Sequence, residues 1–369
     1  MAVIVCHLDW ALPASLEPAA KFGWMGVDLF FVLSGYLIGS QLLRPLSRGE
    51  RVSLPAFYRK RAYRILPAYL VVLLFYLIWN VRHGSAGMSP LWEFVTFTQN
   101  LFYKYGTEYQ FDHVWSLCVE EHFYLLLPVM VLWLARRPAL WKTATVLAIF
   151  FGAGIALRGY ELVHDLRHLP PGSAQFVAHY YERIYSPTYT RLDGLLAGVT
   201  LALIRIYRSA WWAAMLRKAG VLSVAGCALV GCAVWMVAGS TESALGVAAA
   251  GTVFGFSVLA LGLALLVAVA SDSSTLLGRL RVPGAKLVAT LAYSLYLTHR
   301  EVARVDSVYL HGVMSTRDWR STLLVAVSCL AMAGVLYLGV ERPFLMLRDR
   351  REPRSSKNVD VEARAEPAL

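Results

Sequence analysis

The sequence predicts an all-α, polytopic helical membrane protein, and three observations carry that prediction. The 369 residues are 57% hydrophobic and only 16% charged, and mean hydropathy is +0.52, whereas a soluble domain carries about 25% charge. The apolar residues gather into about ten long runs, the pattern of membrane-spanning helices. The basic residues collect between alternate runs, as the positive-inside rule requires.

In chain order the apolar segments lie near 1–12, 24–43, 66–82, 113–135, 139–158, 191–206, 219–238, 244–270, 287–305 and 321–340. The first is too short to cross about 30 Å at about 1.5 Å per residue, so the first helix is expected to be truncated, continuing upstream of the given Met1. It has no basic front and no small-residue cleavage site, so it does not read as a signal peptide. One alternate set of connections, including 44–64, 136–142, 205–218, 279–286 and the C-terminal tail, holds 24 of the 35 basic residues. Both termini are therefore expected in the cytoplasm. The formal charge of +11 is then a matter of topology, and no nucleic-acid partner is expected. Residues 1–345 read as one membrane domain, with the bilayer as its first partner, and 346–369 as a disordered basic cytoplasmic tail. The outer loops 83–112 and 159–190 are rich in aromatics, which suits the membrane interface. The five cysteines fall in apolar segments without a Cys-x-x-Cys pair. They read as packing residues, and no metal site is expected.

Ionisable groups inside spans are costly and mark functional sites. GVDLFFVLSG (26–35) places Asp28 at the head of such a run. An interfacial residue at a helix start would account for it alone. With the orientation above, however, His7, Asp28, Glu120, Glu121, Arg191 and His299 all fall in the outer half of their helices. A shared polar cavity explains that common depth. Gly35 and Gly39 lie near the Asp28 face, allowing close helix packing. Ser116, Glu120 and Tyr124 make a stripe at i, i+4 spacing, with Glu121 about 100° round the helix. Two adjacent carboxylates need a basic partner or a proton, for which Arg191 and the histidines are available. On the opposite side, FYRKRAYRILP (57–67) carries Arg59, Lys60, Arg61 and Arg64. Charge alone is accounted for by an anchor at the lipid headgroups. The i, i+3 pair Arg61 and Arg64 could also fork onto one phosphate.

Five stretches, GVDLFFVLSGYLI (26–38), FYRKRAYRILPAY (57–69), WSLCVEEHFYLLLP (115–128), TRLDGLLAG (190–198) and AYSLYLTH (292–299), resemble, in this order, the membrane acyltransferase type 3 family. That resemblance implies a bacterial inner-membrane enzyme of ten or eleven helices, moving an acyl group, usually acetyl, from acyl-coenzyme A to a glycan or another envelope molecule. It implies a catalytic role for His7, an acyl-coenzyme A site at Arg61-x-x-Arg64, and functional roles for Glu120, Glu121 and His299. The family's arginine eleven residues before the catalytic histidine would fall upstream of Met1. Cys118 stands where a serine is usual. Some members add a periplasmic esterase-like domain, so the short tail here implies that acceptor handling falls to a separate periplasmic or glycan-assembly protein.

The expected mechanism holds the donor's phosphates at Arg61 and Arg64 and brings its thioester to the outer layer. There His7 deprotonates a hydroxyl of a glycan or lipid-linked glycan. Glu120 or Asp28 would hold the imidazolium, and Arg191 or His299 the oxyanion. Routes through acyl-His7 or acyl-Cys118 stay open. The rival class is a proton-coupled transporter or exporter of a glycan, which intramembrane carboxylates and histidines would also serve. A structural assembly protein explains neither cluster.

Overall fold

The structure, a computed structural model, describes residues 2–8, 11–83, 87–106, 111–135, 140–241, 243–309 and 318–351. Among the described residues every regular element is helical and no strand occurs. The main helices are α1 (Ala2–His7), α2 (Met25–Ser47), α3 (Leu54–His83), α4 (Trp115–Ala135), α5 (Leu140–His164) and α6 (Asp193–Tyr207). They continue with α7 (Ala219–Val237), α8 (Phe256–Ala270), α9 (Ala285–Tyr309), α10 (Trp319–Leu336) and α11 (Arg342–Arg351).

Each expected apolar segment overlaps one of the helices α1 to α10, and among the described residues seven are long and apolar enough to span a membrane. The other three fall short for different reasons. α1 has 6 residues. α6 has 15, about 22 Å at the helical rise. α9 is long enough but carries Lys286, Arg300, Glu301, Arg304 and Asp306. Two boundaries move. The basic stretch 57–64 is itself helical, because α3 begins at Leu54 and runs unbroken through Pro67. Pro55 in its first turn removes only a donor that has no intrahelical partner there. α10 passes through the π turn Tyr337–Glu341 into α11, so residues 346–351, expected in the disordered tail, are helical. The rest of that tail, 352–369, lies outside the described residues.

Local chemistry sets several ends. α2 stops in a Schellman turn: Gly49 adopts φ 75°, with Gly49 N bonded to Leu46 O at 3.1 Å and Glu50 N to Pro45 O at 2.9 Å. That satisfies carbonyls left over at the helix end, and only glycine adopts the left-handed angle cheaply. α10 starts at Asp318, whose carboxylate accepts from Ser321 N at 2.8 Å, the usual N-cap bond.

The chain forms two compact units. The first comprises Met1–Gly26, Ser53–Arg82 and Leu280–Leu369. Its apolar core joins Ile4 of α1 and Leu8 just after it, Leu291, Leu295 and Val302 of α9, and Val325, Cys329 and Ala333 of α10. The α9 and α10 residues recur at three- and four-residue steps, one face of each helix. His299 falls in the same α9 stripe, which explains its complete burial.

The second unit comprises Val27–Val52 and His83–Arg279. Here α2 and α6 touch backbone to backbone. A Cβ at Gly35 would overlap the Leu195 carbonyl, and one at Gly198 would overlap the Val32 carbonyl. Small residues permit such an approach where lipid supplies no hydrophobic drive between helices. α7 and α8 make a second close pair at Gly226 and Gly262. The two long aromatic-rich loops, expected on the outer side, contain the short helices Leu91–Val95, Gln99–Phe102 and Ala174–His179, and the π turn Tyr180–Tyr185.

Candidate active site

The expected site residues divide between the units, and each unit builds its own polar cluster. In the first, His7 ends α1 and faces His299 of α9, with His7 Nδ1 2.7 Å from His299 Nε2. The rings lie 10° from parallel. His299 Nδ1 lies 2.8 Å from the backbone oxygen of Tyr296. A carbonyl only accepts, so His299 Nδ1 carries the proton and, in the neutral ring, its Nε2 accepts. His7 Nδ1 must then be the donor, which leaves the lone pair on His7 Nε2. Tyr296, His299 and His7 thus form a chain that fixes one tautomer and presents one basic nitrogen. Within this unit the partner of His7 Nδ1 is His299.

The basic stretch of α3 belongs to the same unit. Arg59 and Arg64 are exposed, and Lys60 and Arg61 half-buried. Tyr293 of α9 donates to the Ile65 carbonyl at 2.8 Å, pinning this stretch to the helix that carries His299. Arg351 of α11 donates to the Tyr63 hydroxyl at 2.9 Å. Ser294 donates to Glu341 at 2.7 Å, with Arg64 within electrostatic reach of that carboxylate. From Tyr293 to His299 the rise along α9 is about 9 Å.

In the second unit, Asp28 of α2 and Arg191, just before α6, are each other's partner. Arg191 Nη2 donates to both Asp28 oxygens, at 2.9 and 3.0 Å, and both side chains are buried. The guanidinium carbon lies 3.7 Å from the Phe256 ring centre, 4.7 Å from Tyr185 and 5.4 Å from Trp115, so aromatic faces replace its water. Nε and Nη1 of Arg191 have no hydrogen-bond partner among the described residues. On α4, Glu120 is buried and Glu121 half-buried, while Tyr124 bonds to Ser34 of α2. Cys118 is buried with its thiol free of any disulfide.

A third pair was not anticipated. Arg158, fully buried on α5, bonds to Asp193 at 2.7 and 3.3 Å, to Ser257 at 2.9 Å, and to the carbonyls of Thr190 and Val253. Every guanidinium nitrogen is used, which marks a structural lock joining α5, α6 and α8 rather than a reactive group. In the sequence this arginine stands at the very end of the apolar segment 139–158, where its only signal is a charge at the membrane boundary. His122 of α4, within the stretch 115–128, bonds to Thr188 at 2.6 Å, a contact that no local sequence pattern announces. No cluster of potential metal ligands occurs among the described residues.

Residues 1–340 match the family model described as an acyltransferase domain. The chain belongs to that acyltransferase family. It is 26% identical over 360 residues to the peptidoglycan O-acetyltransferase OatA of Listeria monocytogenes, covering 93% of this chain and 53% of that protein. It is 27% identical over 345 residues to the O-acetyltransferase OatA of Staphylococcus aureus, covering 87% and 52%. A putative O-acetyltransferase of S. aureus is 30% identical over 222 residues, 55% of this chain and 33% of that protein. The chain thus spans about half the length of the curated OatA relatives it matches. No solved structure matches it.

Proposed function

We propose that this membrane acyltransferase is an inner-membrane O-acetyltransferase, moving an acetyl group from acyl-coenzyme A to a hydroxyl of an envelope glycan of the peptidoglycan type. The observation that carries the reading is the His7–His299 pair, in a chain of the acyltransferase family, with its tautomer set so that His7 Nε2 is basic. A sugar hydroxyl is too weak an acid to attack unaided. His7 Nε2 takes its proton as the oxygen bonds to the acyl carbon. The carbon–sulfur bond then breaks, and the proton passes to the departing thiolate. His299 shares the transient imidazolium charge through His7 Nδ1–H.

The donor's phosphates are held at Arg61 and Arg64, with Arg59 and Lys60 adding charge. Both clusters lie on one unit, and α9 connects them, so the donor reaches His7 along the helix bundle. The basic end faces the cytoplasm by the positive-inside rule, and the histidine pair lies toward the outer side, where the acceptor enters. In the second unit, the unused donors of Arg191 suit a polar group of the substrate, with Asp28 fixing the guanidinium and Glu120 and Glu121 adding negative charge. Family membership favours this reading over a glycan exporter.

Donor binding tests it. Arg61→Ala and Arg64→Ala should each weaken acetyl-coenzyme A binding about 10- to 100-fold, the loss of one charge-assisted contact. Lysine should restore only part, since it cannot form the planar fork. Binding by calorimetry as tight as wild type in both alanine variants reduces the stretch to an anchor.

A further inference from the structure

A cavity of about 80 Å³ opens in the first unit, with walls from α1, α9 and α10 that include Ile4, Leu8, Leu295, Ala326, Cys329 and Leu330. It adjoins the histidine pair on all three helices. Leu8 follows His7 directly, Leu295 lies one turn before His299, and the Cys329 thiol donates to the His299 carbonyl at 3.8 Å. The walls are apolar apart from Thr322, so water finds too few partners to settle there. Unfilled, the space forfeits dispersion contacts that packed helices otherwise make.

Size and chemistry narrow the occupant. A cavity of about 150 Å³ with similar walls accepts benzene, so one of 80 Å³ accommodates about three carbons. A sugar needs hydrogen-bond partners that these walls lack. A membrane lipid tail is several times too long. We propose that the cavity seats the hydrocarbon tail of the acyl donor while its carbonyl lies at His7, and that its volume restricts transfer to short chains. This rests on His7 and His299 being the site of transfer.

The test uses the full-length protein in lipid nanodiscs and p-nitrophenyl esters of acetic, propionic, butyric and hexanoic acids, which need no nucleotide site. In wild type, kcat/KM should rise about threefold to fourfold per methylene up to butyrate, the gain of burying one methylene, and fall at hexanoate. Ala326→Leu fills the space and should lower the butyrate-to-acetate ratio about tenfold. Leu330→Ala enlarges it and should raise the hexanoate-to-acetate ratio by a similar factor, deciding the matter if the leucine variant misfolds. A flat wild-type profile, or a profile that neither folded variant alters, overturns the acyl pocket and leaves the histidine site standing. Failure of wild type to cleave any ester overturns both.

Discussion

His7→Ala should lower acyl transfer about 10²- to 10⁴-fold, the effect of losing a positioned general base, while the full-length protein still inserts and accumulates. His7 sits at the end of α1 with only part of its ring buried, so truncation leaves the core residues Ile4 and Leu8 in place. The partner separates positioning from chemistry. His299→Ala should cost about 10- to 100-fold in kcat with little change in KM for the donor, because His7 loses the acceptor that orders its tautomer. His299→Gln should recover part of that loss, since an amide oxygen can accept from His7 Nδ1–H. Turnover at the wild-type rate by His7→Ala removes this residue from the mechanism. Equal losses for alanine and glutamine at 299 reduce His299 to packing.

The second large effect is one of stability. Asp28→Ala should destabilise the protein by about 3–5 kcal/mol, because Arg191 is left charged and buried among aromatic rings with no carboxylate. Replacing both, Asp28→Leu with Arg191→Met, should recover most of that stability, since neither charge then has to be held out of water. Thermal unfolding in one detergent compares the variants directly. A double variant as unstable as Asp28→Ala contradicts the pair as the cause. The double variant should nevertheless remain impaired in transfer, because it lacks the two spare donors of Arg191 that suit a substrate oxygen.

How much of this was legible depends on what kind of information each feature needs. The helices were readable because long apolar runs are a local signal, and Gly35 lay on the Asp28 face as three-residue and four-residue spacing implied. The boundary of α3 was misplaced because Arg59, Lys60, Arg61 and Arg64 look like a loop by charge, although arginine and lysine favour helix as well as leucine does. The residues that make the clusters were visible as intramembrane charges, but their pairing was not. Nothing in the sequence near Asp28 indicates that its partner lies 163 positions away. The bond between His7 and His299 spans 292. The role of His299 also needs the Tyr296 carbonyl, a backbone atom whose position follows only once α9 is built. Arg158 was hidden because it sits at the edge of an apolar segment, where an interfacial arginine is ordinary.

The central claim is that one unit holds the donor at its basic end and transfers the acyl group at the histidine pair, across the membrane. Proteoliposomes with radiolabelled acetyl-coenzyme A sealed inside and acceptor glycan supplied only outside test it most directly, with the protein oriented so that Arg61 and Arg64 face the lumen. The account predicts label on the outer glycan, its loss in His7→Ala, and a rise in the donor concentration needed for half-maximal transfer in Arg61→Ala. Label that appears only when donor and acceptor share one compartment would contradict transfer across the bilayer.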